Sequence, residues 1–141
     1  MTPQRYALEI SSAPAVEPID LGEAKAHCKV EVDDDNDLFE HWIKTARRLT
    51  ESLLDCSLIT QTIKVYLDEF PAWEIEVPRS PISSVSSITY YDTSGVSQTL
   101  ASTEYQLDSK SRPARIVPSY GNVWPTTRYG YLNAVTLTMV A

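Results

Sequence analysis

An α+β fold, with two N-terminal helices (short, then long) followed by an antiparallel, strand-rich region, is predicted for this chain by two observations. The spacing of apolar residues changes from a period of about 3.6 to a period of 2 after Cys56. Helical signals all precede that point and strand signals follow it, which is not the alternating order of a parallel sheet. With 141 residues, 43% of them hydrophobic and 22% charged, the chain suits one folded core and lies far from the composition of disordered chains.

The first element is an extended N-terminal arm over residues 1–19, where Pro3, Pro14 and Pro18 keep the backbone out of helix. The rest reads as a single domain, 20–141, made of a helical part (20–56) and a β-rich part (57–141). Asp20 and Glu23 have the spacing of a capping box, which opens a short helix over about Leu21 to Val30 with a thin stripe of Leu21, Ala24 and Cys28. Asp33, Asp34, Asp35 and Asp37 then precede a second periodic run, Leu38, Trp42, Ala46, Leu49 and Leu53, widened by Phe39, Ile43 and Leu54. That run predicts the long helix, and its Glu40 and Lys44 are an i,i+4 pair in the favoured order. Beyond Cys56, Ile59, Ile63, Val65 and Leu67 alternate with Thr60, Thr62, Lys64 and Tyr66 as in a half-buried strand. Similar alternation marks Trp73 to Val77, Val85 to Tyr91, Tyr105 to Leu107 and Ala134 to Val140, with turn residues between them.

Charge is distributed unevenly. The net value is −7, and residues 20–56 hold ten acids against five bases, net −5. Such a balance disfavours wrapping of duplex DNA, which needs clustered Lys and Arg to neutralise phosphates. No stretch approaches the roughly 20 apolar residues that span a bilayer, and the first residues lack the apolar core of a signal peptide, so no membrane partner is expected. Cys28 and Cys56 have no CxxC spacing and read as small buried hydrophobes.

No residue pattern identifies a reaction, a cofactor or a metal. Asp33, Asp35 and Asp37 match the opening of a calcium loop, but Leu38 replaces its turn glycine and Lys44 its closing glutamate, which favours a charge cluster at a helix N-terminus. His27 and His41 lack an evident nucleophile and orienting acid, and the four glycines form neither a phosphate loop nor a dinucleotide fingerprint. The more unusual segment is SYGNVWPTTRYGYLN, which places Tyr120, Trp124, Arg128, Tyr129 and Tyr131 in one loop. Tyr and Trp supply large contact areas at low entropic cost, so these five residues are candidates for subunit or partner contact. Trp124 can equally cap the end of the sheet core. Stacking of single-stranded nucleic acid would need more cationic charge than Arg128 alone provides.

Taken in order, Glu17-Pro18-Ile19-Asp20-Leu21-Gly22-Glu23-Ala24-Lys25-Ala26-His27, Val30 with Asp33-Asp34-Asp35, and the run LFEHWIKTARRLTESLLDCSLITQT resemble the head-tail connector (adaptor) proteins of tailed phages and prophages. The continuation Leu67-Asp68-Glu69-Phe70-Pro71, Val77-Pro78-Arg79-Ser80-Pro81, Val85 to Asp92, Tyr105, Pro118-Ser119-Tyr120-Gly121 and Trp124-Pro125 is similar to the longer branch of that family, with its strand-rich region after the helices. The resemblance covers about residues 15–140, and its specificity lies in the shared order of short motifs. It implies a structural virion protein, not an enzyme: one subunit of a homo-oligomeric, dodecameric ring in the neck. That ring joins the portal protein to a stopper or tail-side connector and lets DNA pass without specific binding. The resemblance further implies assembly in the bacterial host cytoplasm, for an infectious phage, a prophage or a gene transfer agent. Asp33, Asp34 and Asp35 become candidates for lumen or subunit contact, because carboxylates lining a channel repel the genome and let it slide. Family members commonly continue into a further helix that contacts the portal, whereas this chain ends at Val140-Ala141. Two other readings stand beside this one: a small metal-dependent enzyme using Asp33–Asp37 and His41, and a non-viral protein-binding domain.

Overall fold

The computed structural model describes residues 5–141, so Pro3 and the rest of the first four residues of the expected arm lie outside it. The element order is β1 (Ala7–Ser12), α1 (Leu21–Cys28), α2 (Asn36–Leu54), β2 (Thr62–Leu67), β3 (Ile75–Val77), β4 (Ser84–Tyr91), β5 (Ser97–Leu100), β6 (Tyr105–Asp108), β7 (Ala114–Pro118) and β8 (Val135–Val140). The class is α+β, with two helices and antiparallel strands, as predicted. A strand also precedes the helices: Ala7–Ser12, within the segment expected as an arm, is extended and pairs with β2 at the sheet edge.

Two antiparallel sheets form, one of five strands in the order β1-β2-β8-β4-β5 and one of three in the order β3-β7-β6. Their inner faces share one core. Ile63, Val65 and Leu67 of β2, Val135, Leu137 and Met139 of β8, and Ile88 of β4 meet Ile75 and Val77 of β3 and Ile116 of β7. Strand β2 alternates half-buried and buried residues along its whole length, which is the period-2 pattern of its sequence made physical. Strands β5 and β7 escape the sequence reading for a physical reason. β5 is a polar edge strand with only Leu100 buried, and β7 is five residues long and bounded by Pro113 and Pro118.

Capping sets the helices. The Asp20 side chain accepts from Glu23 N–H at 2.7 Å while Glu23 reaches back to the Asp20 N–H at 3.2 Å, completing the predicted capping box. Lys29 takes the left-handed conformation that ends α1 at Cys28, two residues before the end anticipated at Val30. The turn to α2 is held by the Lys25 ammonium, which donates to Asp33 at 2.6 Å and to Asn36 at 2.9 Å.

The helices pack chiefly on each other. Of the nineteen residues of α2, only Phe39, Arg47 and Glu51 are buried, and α1 buries none. What fastens this hairpin to the sheets is polar. Arg47 is 5% exposed and Glu51 1% exposed. The Arg47 guanidinium donates to Glu17 at 2.7 and 3.3 Å and to Glu51 at 2.9 Å. The other Glu51 oxygen accepts from Leu58 N–H at 3.0 Å and Gln61 Nε2 at 3.3 Å. Gln61 in turn exchanges two backbone hydrogen bonds with Ala141, both 3.0 Å, at the start of β2. Hydrogen bonding to Glu17, and then the Coulombic pull of Glu17 and Glu51, hold Arg47 above its ordinary value against the opposing cost of burial.

The cysteine expectation is corrected: Cys56 is half-buried, and Cys28, on the same side of α1 as Leu21 and Ala24, is exposed because that side borders an open groove between α1 and α2.

Two measurements check this account. Arg47→Met strands the Glu51 carboxylate and is expected to cost about 3–5 kcal/mol in urea unfolding, whereas Glu17→Gln, at a more open site, costs about 1 kcal/mol. Equal effects would refute the network as the anchor. Three aspartates sit below their ordinary value of 3.8: Asp33 through Lys25, Asp92 through the Val96 N–H, and Asp108 through Arg115. A lowered folded-state value contributes stability that is complete above 3.8 and disappears as pH falls through the folded value. Changing all three to Asn should flatten the acid side of the stability profile below that pH, and an unaltered slope would assign it to other carboxylates.

Candidate functional site

Two surfaces stand out, at opposite ends of the β unit. Register fixes their positions: Thr62 pairs with Val140 at the end where the helices join, and Leu67 pairs with Val135 at the other. There, Asn133 N–H donates to Asp68 at 2.9 Å and closes the aromatic loop onto the sheet.

The loop divides into anchors and free groups. Trp124 stacks on Phe70 at 5.0 Å with the planes 5° apart, and its indole N–H donates to the Trp73 carbonyl. Phe70 meets Tyr90 edge-on at 5.6 Å, which ties this stack to the shared core. Arg128 N–H donates to the Tyr91 carbonyl at 3.1 Å, and its guanidinium lies 5.7 Å from the centre of the Tyr131 ring. Tyr131 tilts against Tyr91 at 4.9 Å. Gly95, at φ +79°, completes the arrangement, since a Cβ there would run into the Arg128 guanidinium. Tyr120 and Tyr129, by contrast, are fully exposed, as largely are Val123 and Leu132. Of the five loop candidates, the fold therefore holds Trp124, Arg128 and Tyr131 in place and leaves Tyr120 and Tyr129 to solvent. An open cleft of about 650 Å³ runs between the loop and residues 68–72.

The second surface is the apolar run from which the sequence predicts the long helix. Leu38, Trp42, Leu49 and Leu53 form one stripe of α2, yet all four are exposed, Trp42 to 52% and Leu53 to 76%. The buried side of the helix is turned toward Arg47 and Glu51 instead. A sequence signal for this existed: from Leu38 to Leu54 the apolar residues span an arc of roughly 160°, wider than one short neighbouring helix can cover. Beside the stripe, an apolar groove of about 640 Å³ opens between α1 and α2, lined by Ile19, Ala24, Phe39, Trp42, Ile43 and Ala46 among others.

Asp33, Asp34 and Asp35 lie on the exposed link between the helices, where Asp33 is taken up by Lys25. Asp35 caps α2 through its backbone and makes no side-chain capping bond. Among the described residues, no group of three or more His, Cys, Asp or Glu side chains is arranged to hold a metal, and His41 stands exposed on α2. Also among the described residues, no helix is long and apolar enough to cross a membrane.

Substitution separates anchors from free groups. Trp124→Ala is expected to lower unfolding stability by about 2–4 kcal/mol, and Tyr120→Ala and Tyr129→Ala by no more than about 0.5 kcal/mol each. A loss with Tyr129→Ala as large as that with Trp124→Ala would place Tyr129 in the core.

No family model and no curated protein matches the chain. Solved structures do share its fold. A chain in the neck of an empty gene transfer agent (GTA) particle computed with C6 symmetry superposes with a TM-score of 0.75 at 14% identity, over 95% of this chain and 69% of that one. A chain in the neck of a native GTA particle computed with C12 symmetry gives 0.71 at 20% identity, over 96% and 69%. One in the virion of a native GTA particle gives 0.70 at 17% identity, over 95% and 70%. The shared fold thus spans at least 95% of this chain and about 70% of each of those chains.

Proposed function

We propose that this chain is a structural subunit of the neck of a tailed phage or phage-like particle. In this reading it is a head-tail connector (adaptor) that forms a ring, dodecameric by family resemblance, between the portal protein and a stopper or tail-side connector. The observation that carries the reading is the likeness of fold, over at least 95% of the chain, to chains of GTA necks solved with C6 and C12 symmetry. It agrees with the order of sequence motifs, which independently resembles the head-tail connector (adaptor) proteins.

The surfaces fit a binding role. Tyr120, Trp124, Arg128, Tyr129 and Tyr131 serve as subunit or partner contacts, with Trp124 and Arg128 shaping the loop that presents the tyrosines. Within the segment read as an arm, strand β1 leaves one edge of the five-stranded sheet open to a neighbour. Asp33, Asp34 and Asp35 face the channel or the adjacent subunit, and their charge keeps passing DNA from adhering. The protein takes no cofactor and performs no reaction in this role; it acts in the virion, after assembly in the host cytoplasm.

Electron microscopy of portal-bearing capsids incubated with the purified chain is expected to show a ring-shaped layer under the portal. Capsids that gain no such layer would defeat the proposal. Charge reversal of Asp34 and Asp35 to Lys is expected to slow DNA exit from assembled particles, most strongly at low salt. An exit rate that does not change would remove these residues from the channel wall.

A further inference from the structure

We infer that the groove between α1 and α2, together with the adjoining stripe of α2, is the socket for the aromatic loop of a second copy of this chain. Each subunit then carries a knob at one end of its β unit and a socket at the other. The inference rests on the ring reading above and names the contact that would build the ring.

The first argument is exposure. A helix of nineteen residues that buries three of them gains little from its own domain, and isolated helices are held chiefly by packing of their apolar side. Leu49 and Leu53 lie one turn from the groove residues Ala46 and Thr50 on α2, so the exposed stripe continues from the groove along the helix. At the far end, Tyr120, Val123, Tyr129 and Leu132 project from a loop that Trp124, Arg128 and Asn133 already hold rigid. Rigid aromatic groups lose little entropy on docking.

The second argument is charge, and it selects the occupant. Pressing two helix hairpins together would set net −5 against net −5, since residues 20–56 hold ten acids and five bases. The loop 119–133 has one charged group, Arg128, so it brings a cation and no carboxylate to a helical segment of net −5.

The third argument is geometry. A patch that matches itself makes a closed pair, whereas two different matching patches on one chain propagate head to tail, and form a ring where the rotation between copies closes. The knob and socket lie at opposite ends of β2 and β8 and are therefore two different patches, as a head-to-tail contact requires.

The test uses two double variants in the full chain: Leu49→Glu with Leu53→Glu in the socket, and Tyr120→Ala with Tyr129→Ala in the knob. All four residues are exposed, and circular dichroism checks that each variant remains folded. Sedimentation from micromolar to millimolar concentration should show each variant alone associating at least about tenfold more weakly than the unaltered chain. An equimolar mixture should form heterodimers and nothing larger, because one intact knob still meets one intact socket. If the knob variant assembles like the unaltered chain while the socket variant does not, the helices meet each other and the inference fails with the ring intact. An unaltered chain that stays monomeric yet forms the layer on capsids also overturns this contact alone. Monomers that never join capsids overturn the neck reading as well.

Discussion

The Arg47 guanidinium, held between Glu17 and Glu51, is the constraint on which the arrangement of this molecule depends. It draws the segment leading into α1 onto α2, and through Glu51 it reaches the turn into β2 and the Gln61–Ala141 pairing at the sheet end. A buried ion pair is seldom a large net source of stability, because desolvation offsets much of its attraction. Its effect here is directional. An apolar contact would let the hairpin slide or roll over the sheet end, whereas a guanidinium sharing hydrogen bonds with two carboxylates allows one orientation.

That choice of fastening has a consequence for the rest of the surface. Since the inward side of α2 is committed to Arg47 and Glu51, its leucines and Trp42 turn outward, and the groove beside α1 stays open. The core of the β unit lies between its two sheets, which bury Ile, Val and Leu against each other without a residue from either helix. Scaffold and hairpin therefore have separate tasks: one supplies stability and the other supplies surface.

The same division appears at the opposite end. Phe70, Trp124 and Tyr90 extend the core into the loop as a stack of rings, so the loop is rigid although it contains no regular element. Tyr120 and Tyr129 are presented by that stack rather than absorbed into it. A small domain with apolar surface at both ends and acidic charge gathered around one of them is suited to contact with other subunits.

Much of the fold was legible in the residue order, because it rests on local physics. Asp20 and Glu23 satisfy the first turn of α1 wherever that helix lies, and the alternation of Ile63, Val65 and Leu67 commits β2 to one buried face. The aromatic loop was visible as a cluster for the same reason. Long-range geometry decided the remainder. Strand β1 exists through pairing with β2, and polar β5 through pairing with β4, which composition does not announce. The apolar stripe of α2 could mean core or contact surface, and only the position of Arg47 turned it outward. Likewise, the five loop candidates were equivalent as letters, and Trp124 parted from Tyr120 and Tyr129 when Phe70, distant in sequence, arrived beneath its ring. Periodicity and capping belong to neighbouring residues and can be read directly, whereas the side of an element that remains free is set by what the rest of the chain brings to it.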